Sequence, residues 1–268
     1  MNKCDTKYPI VLVHGIGYSD EEFPDYWGDV PENLRSEGAK VFFGRQAAFG
    51  SIEESGEELL ENVEKICLEN DAEKVNIIAH SKGGLDARYM ISVLGGEERV
   101  ASLTTIATPH HGIAVLDEMG KKPFGQLNRF YNFFNMVLRI SGGQVPESNS
   151  AYEQMSADYM EVFNEMVPDS PRVYYQSYAC EMKSSLADPV FARFHRIVTR
   201  KHGKNDGLVP VESAKWGDFR GAYTGPSSDG VSHSMVCGNR KPLSWKKGGY
   251  DVTEFYVDMV ARLKHLGY

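Results

Sequence analysis

Residues 75–90 read VNIIAHSKGGLDARYM. The first five, 75–79, are a short apolar run rich in β-branched residues, with the length and composition of a buried strand. Helical spacing begins at once after them, through Leu85, Arg88, Tyr89 and Val93. At the junction stands Ala79-His80-Ser81-Lys82-Gly83, a small residue two places before a serine and a glycine two places after it. A strand that turns this abruptly into a helix needs small neighbours, and it pushes the serine hydroxyl out of the sheet. Glycine is usual at the first position, and alanine still meets the steric demand. The helix that follows aims its N-terminal dipole at the same spot, where negative charge is favoured. The plain alternative is an ordinary serine in a glycine-containing turn. Its place between an apolar strand and an amphipathic helix favours Ser81 as a nucleophile. Gly83 and Gly84 do not make a phosphate loop, because neither G-x-G-x-x-G nor G-x-x-x-x-G-K-[ST] is present.

The same alternation extends outward from this junction. Residues 10–13 and 40–43 read as strands, 55–70 as an amphipathic helix through Leu59, Leu60, Val63, Ile66 and Cys67, and 103–107 as a further strand. Strands alternating with helices predict a mostly parallel sheet covered on both faces. The pattern breaks after Pro109 and returns with strands at 173–179 and around 197–199 and a closing helix at 252–266. Between them, residues 112–171 show no strand, and 151–167 reads as a helix. The economical organisation is a single domain over 1–268, with 112–171 as a helical insertion.

A net charge of -8 disfavours a sequence-independent grip on nucleic acid and on anionic membranes. No run approaches the roughly 18 apolar residues of a membrane span, and no secretory leader is visible. The expectation is a cytoplasmic protein, or the mature form of an exported one. Cys4, Cys67, Cys180 and Cys237 are scattered without zinc-type spacing. Cys67 reads as a core thiol, and a Cys180–Cys237 bridge is conceivable.

A serine hydroxyl needs an imidazole to take its proton and a carboxylate to orient that imidazole. On an elbow of this kind the acid and then the base follow the serine in the chain. Of the eight histidines, His195, His202, His233 and His265 lie beyond the insertion. His233 stands in the Gly/Ser-rich stretch SSDGVSHSMV (227–236), and Asp206 in KHGKNDGLVPVES (201–213), read as a turn following a strand. Asp229 is the alternative acid and His202 the alternative base. His265 falls in the closing helix. An oxyanion hole needs two main-chain N–H donors. The N–H of Lys82, next after Ser81, is one candidate, and the Ile16 N–H in VLVHGIGY (11–18) is the other, with His14 as a hydrogen-bonding support.

YPIVLVHGIG (8–17), YWGDVPENLRSEGAKVFF (26–43), EELLENVEKI (57–66), the 75–90 stretch, SLTTIATPHHG (102–112) and NDGLVPVES (205–213) together resemble bacterial true lipases of the α/β-hydrolase fold. These are the Pseudomonas/Burkholderia triacylglycerol lipases and the related Bacillus- and Clostridium-type enzymes. The resemblance covers most of 8–111, returns around 206–233 and is poor between. It implies Ser81 as nucleophile, Asp206 as acid, His233 as base, and Ile16 and Lys82 as oxyanion donors. The Pseudomonas-type enzymes carry a calcium-ligating Asp two positions after the catalytic histidine. Here that position is Met235, whose thioether suits a hard cation poorly. The paired-histidine zinc insertion of the thermophilic Bacillus type is missing too, since no histidine lies between Gly15 and Ala79. No metal and no cofactor are expected.

The expected activity is hydrolysis of lipophilic esters, acylglycerols among them, through an acyl-enzyme. The alternatives are a small-ester carboxylesterase, an acyltransferase with the same triad, and, more remotely, a non-catalytic binding module. Within the insertion, Phe124, Leu127, Phe130, Tyr131, Phe133, Phe134, Met136, Val137, Leu138 and Ile140 crowd one helical stretch flanked by Gly125, Gly142 and Gly143. That is more apolar surface than a surface helix carries on one stripe. A lid that opens there would expose a patch able to meet a lipid–water interface, with Phe130, Phe133, Phe134 and Val137 against the acyl chain. A fully buried helix is the bland reading of the same stretch.

Overall fold

A computed structural model of the chain describes residues 2–20, 24–113, 116, 131–132, 135–136, 139, 150–226, 228–238 and 252–268. Six strands form one parallel sheet: β1 (Ile10–Val13), β2 (Val41–Phe43), β3 (Val75–His80), β4 (Val100–Ile106), β5 (Tyr174–Cys180) and β6 (Asp218–Tyr223), in the order β2-β1-β3-β4-β5-β6. Every residue of β1, β3 and β4 is buried, as a parallel sheet covered on both faces requires. Side chains alternate between those faces. Val11 and Val13 join Ile77, Ala79 and Leu103 beneath α2 (Ile52–Glu69) and α3 (Gly83–Ser92). Ile10, Leu12 and Ile78 join α1 (Val30–Ser36) on the other face, together with Tyr256 and Val260 of the C-terminal helix Thr253–Leu266. α2 starts where Ser51 and Glu54 form a capping box, and it buries Leu59, Val63, Ile66 and Cys67 along one stripe. This is the parallel sheet covered on both faces that the strand–helix alternation predicts.

Two expectations are corrected. Residues 197–199, read as a strand, lie inside a helix, Ala192–His202, whose Phe194, His195 and Val198 are buried. The helical spacing of those three outweighs the β-branched pair Ile197–Val198. The strand β6, which pairs with β5 at the sheet edge, was not anticipated. Its sequence DFRGAY is only partly buried and carries charge, as edge strands do. Asp206 therefore follows a helix and its Gly203 cap, not a strand.

The expected helix over 151–167 is two helices, α4 (Ser150–Glu153) and α5 (Ala157–Met166), the second capped by the Ser156 hydroxyl. The helix Ala192–His202 is accordingly α6 and Thr253–Leu266 is α7. Ala151, Tyr152, Met155, Met160, Phe163 and Val167 are buried in the main core, so this end of the insertion is docked. Phe130, Phe133, Phe134 and Val137 lie outside the described residues. Cys4, Cys67, Cys180 and Cys237 are all buried free thiols, so the conceivable Cys180–Cys237 bridge is not formed. Among the described residues no helix is long and apolar enough to cross a membrane.

Candidate active site

β3 ends at His80, and Ser81 follows in a left-handed conformation at φ 55°. A non-glycine residue there is strained. Its N–H is fixed on the Ile106 carbonyl at the end of β4 (3.0 Å), and its carbonyl accepts from Gly84 as α3 begins (3.1 Å). The hydroxyl is left facing His233, whose Nε2 lies 2.9 Å from Ser81 Oγ. On the far side of the ring, His233 Nδ1 is 2.8 Å from Asp206 Oδ2. A carboxylate only accepts, so Nδ1 carries the proton and Nε2 turns its lone pair toward the serine. Asp206 is fully buried, and its second oxygen takes the N–H groups of Leu208 (2.9 Å) and Val209 (2.7 Å). The His233 N–H also donates to the Asp206 carbonyl oxygen (2.9 Å), so acid and base are joined by side chain and main chain.

The structure thus brings Ser81, Asp206 and His233 together. It does not bring the alternatives there by any described contact. The carbonyl of Asp229 accepts from the N–H groups of Lys183 and Ser184, while His202 and His265 are exposed in the last turns of α6 and α7. His195 is committed to Ser185 and the Met182 carbonyl.

The loop after β1 lies directly on the elbow. A Cβ on Gly15 would stand 2.9 Å from that of Ser81, so only glycine lets the two backbones approach this closely. Among the described residues, the main-chain N–H groups of Ile16 and Lys82 donate to no acceptor. An oxyanion hole requires two such unused main-chain donors. The loop is held by groups that sequence reading singled out only in part. His14 contacts the Gly15 carbonyl (2.8 Å) and the Gln46 carbonyl (3.1 Å), and Gln46 returns a bond to the His14 carbonyl (2.9 Å). Tyr26, not anticipated, takes the Gly15 N–H at 2.9 Å, and its hydroxyl lies 2.6 Å from His80 Nδ1.

His80 packs beside the His233 ring, centroids 4.7 Å apart. Burial first, and the nearby His233 second, hold its pKa well below the ordinary histidine range. Burial, followed by the Arg88 charge, does the same to His110, which bonds Thr105 and stacks on Trp216. These shifts fix a pH dependence of stability. Below the usual histidine pKa the unfolded chain takes up protons that the folded chain refuses, so stability falls as pH drops through about 6.5. Burial pushes Asp86 the other way, up to about 6, so its contribution rises as pH falls below that value. Between pH 7.5 and 6 the histidines dominate, at ~1 kcal/mol each by pH 6. The melting temperature is expected to fall by a few degrees over that interval in a scanning-fluorimetry series. A flat or rising profile would show that the two rings are charged inside the fold.

Among the described residues no group of three or more His, Cys, Asp or Glu is placed to hold a metal ion. Met235, two residues after His233, is buried in the core.

Residues 9–226 match the family described as palmitoyl protein thioesterase. The chain is 36% identical over 203 residues to triacylglycerol lipase 2 of Saccharomyces cerevisiae, a match covering 74% of this chain and 59% of the yeast protein. It is 43% identical over 236 residues to a triacylglycerol lipase of Vibrio cholerae, covering 79% of this chain and 75% of that one. The chain therefore spans less than two thirds of the yeast protein's length. A solved lipase of Staphylococcus hyicus superposes with a TM-score of 0.70 at 19% identity, covering 98% of each chain, which is a likeness of fold. With a family match over most of its length and a bacterial relative covered to three quarters, the chain belongs to the family described as palmitoyl protein thioesterase and shares it with the Vibrio protein, which is named a triacylglycerol lipase.

Proposed function

We propose that this chain is a serine hydrolase that cleaves lipophilic carboxylic esters through an acyl-enzyme. The observation that carries the proposal is the Ser81 hydroxyl, set on a strained elbow 2.9 Å from an imidazole whose other nitrogen faces a buried carboxylate. Ser81 Oγ attacks the acyl carbon while its proton passes to His233 Nε2. The oxyanion gathers the Ile16 and Lys82 N–H groups, and Asp206 balances the imidazolium. The proton then goes to the departing alkoxide, and the alcohol leaves. Water attacks the acyl-enzyme by the same relay, returning Ser81 and releasing the acid. The triacylglycerol lipases among the relatives support the lipophilic substrate class.

A second reading follows from the family match: the same nucleophile would take an acyl thioester, with a thiolate leaving instead of an alkoxide. Both readings are tested with p-nitrophenyl esters of increasing acyl length, emulsified triacylglycerol and a palmitoyl thioester. Oxygen-ester hydrolysis that exceeds thioester hydrolysis, with rates rising toward long chains, is expected. Failure on every oxygen ester with turnover of the thioester would replace the first reading by the second. We also propose that the apolar 124–140 stretch acts as a lid against the acyl chain, and the same assay tests it. Phe133→Ser and Phe134→Ser are expected to slow long-chain esters far more than butyrate. A parallel loss on both, together with a lower melting temperature, would make the stretch ordinary core and the enzyme a small-ester esterase.

A further inference from the structure

The residue after the nucleophile is a lysine whose side chain never reaches solvent. Lys82 is 2% exposed, and its ammonium finds three acceptors for its three protons: Asp86 Oδ1 at 2.7 Å, Ser55 Oγ at 3.1 Å and the Ser51 carbonyl at 3.3 Å. Asp86, four residues on in α3, is equally buried. Ser51 caps α2 and Ser55 lies in its first turn, so the lysine reaches from one helix start to another.

Stability alone does not explain this arrangement. The ammonium sits near the N-termini of α2 and α3, the positive ends of both dipoles, where a cation is disfavoured. A buried ion pair is in general no better than apolar packing of the same volume. The surroundings add to the cost. Burial, opposed by Lys82 and reinforced by the carboxylates Glu53 and Glu58 of α2, pushes Asp86 up to about 6.

What the pair does accomplish is mechanical. Ser81 has φ 55°, and Lys82 follows at φ -52°, ψ -36°. Rotating about the Ser81 N–Cα bond, out of the left-handed region, would relieve the strain, turn Lys82 with the chain that follows and swing its N–H away from its present direction. That rotation would drag the lysine side chain off all three of its acceptors. The geometry points to the Lys82–Asp86 pair as a positioning device, whose grip on the start of α2 keeps the Lys82 main-chain N–H aimed at the oxyanion. This inference rests on the ester-hydrolase reading above. It is distinct from that reading because it assigns a role to the two side chains and not to the N–H itself. It also implies a pH response: as pH falls through about 6, Asp86 takes up a proton, the ion pair is lost and the grip loosens.

The decisive variant replaces the charged pair by apolar side chains of similar volume, Lys82→Met with Asp86→Leu. Melting temperature, kcat and KM are read with p-nitrophenyl butyrate. The expected result is a melting temperature at or above that of the native chain, with kcat down about 10- to 100-fold and KM within about twofold. Recovery of kcat along with the melting temperature would make the pair a packing element and overturn the inference. Should the double variant not fold, Asp86→Asn keeps the shape of the side chain and removes only its charge. Its kcat is expected to fall in the same direction with KM unchanged, and a native kcat in Asp86→Asn overturns the inference equally. Ser81→Ala run alongside separates the two levels. An active Ser81→Ala refutes the hydrolase reading itself, whereas a dead Ser81→Ala beside fully active Lys82 and Asp86 variants refutes only the positioning role.

Discussion

Ser81→Ala and His233→Ala are each expected to cut ester turnover by about 10³-fold or more, because nucleophile and base act as a unit and neither is useful alone. Asp206→Asn is expected to be comparably severe, for a reason visible in its contacts. One carboxylate oxygen already takes the Leu208 and Val209 N–H groups, so an asparagine would turn its carbonyl to them and its amide nitrogen to His233. A donor facing Nδ1 forces that nitrogen to accept, which moves the ring proton to Nε2, pointing at Ser81. The imidazole then has no lone pair for the serine proton, and a loss of ~10⁴-fold is the scale that such a tautomer switch produces in serine proteases. Folded protein, verified by melting temperature, is assayed for kcat/KM on p-nitrophenyl butyrate. Near-native turnover by Ser81→Ala would sink the mechanism. Full activity in Asp206→Asn beside a dead Asp229→Asn would move the acid into the 227–236 loop.

Much of this was open to inspection in the sequence because its signals are local. β1 and β3 are buried on both faces, so β1 reads as an unbroken apolar run and β3 as one interrupted only by Asn76 before His80, and the small-x-Ser-x-Gly pattern sits where strand gives way to helix. The edge strand Asp218–Tyr223 gave no such signal, since one flank is open to solvent and its residues need not be apolar. The segment 192–202 misled for the converse reason, a short β-branched cluster inside a longer helical period. Long-range contacts were the other gap. The Tyr26 hydroxyl meets Gly15 and His80 only once β1 and β3 lie side by side, and no spacing in the chain announces it. Lys82 and Asp86 did carry a local cue, opposite charges at i and i+4, but an exposed pair gives the same cue. Burial is what distinguishes them, and burial depends on α2 packing over α3.

Gly83→Ala is expected to lower both stability and turnover, against what helix propensity predicts. Inside a helix, alanine is favoured over glycine by ~0.5–1 kcal/mol, and Gly83 opens α3. The opposing effect comes from the other side of the elbow. A methyl group at this position would collide with the His14 carbonyl oxygen, and would lie 2.9 Å from Val13 Cγ1 and 3.0 Å from the Val13 carbonyl oxygen. Two of those three atoms are main chain, at the point where β1 passes into the loop that carries Ile16, so no side-chain rotation can make room. Overpacking of this kind costs ~1–3 kcal/mol, which exceeds the propensity gain. The strain can be relieved only by lifting α3 or by pushing back the 14–17 loop. Either movement changes the distance between Ser81 and the Ile16 N–H, and a misplacement of ~1 Å in a reacting constellation is worth ~10²-fold in rate. The expected result is therefore a melting temperature lower by several degrees, together with a kcat/KM reduced about 10²-fold when assayed well below that temperature. A Gly83→Ala chain that melts higher than the native one and hydrolyses esters at the native rate would mean that elbow and loop are not in contact during turnover, and the oxyanion role of Ile16 would fall with it.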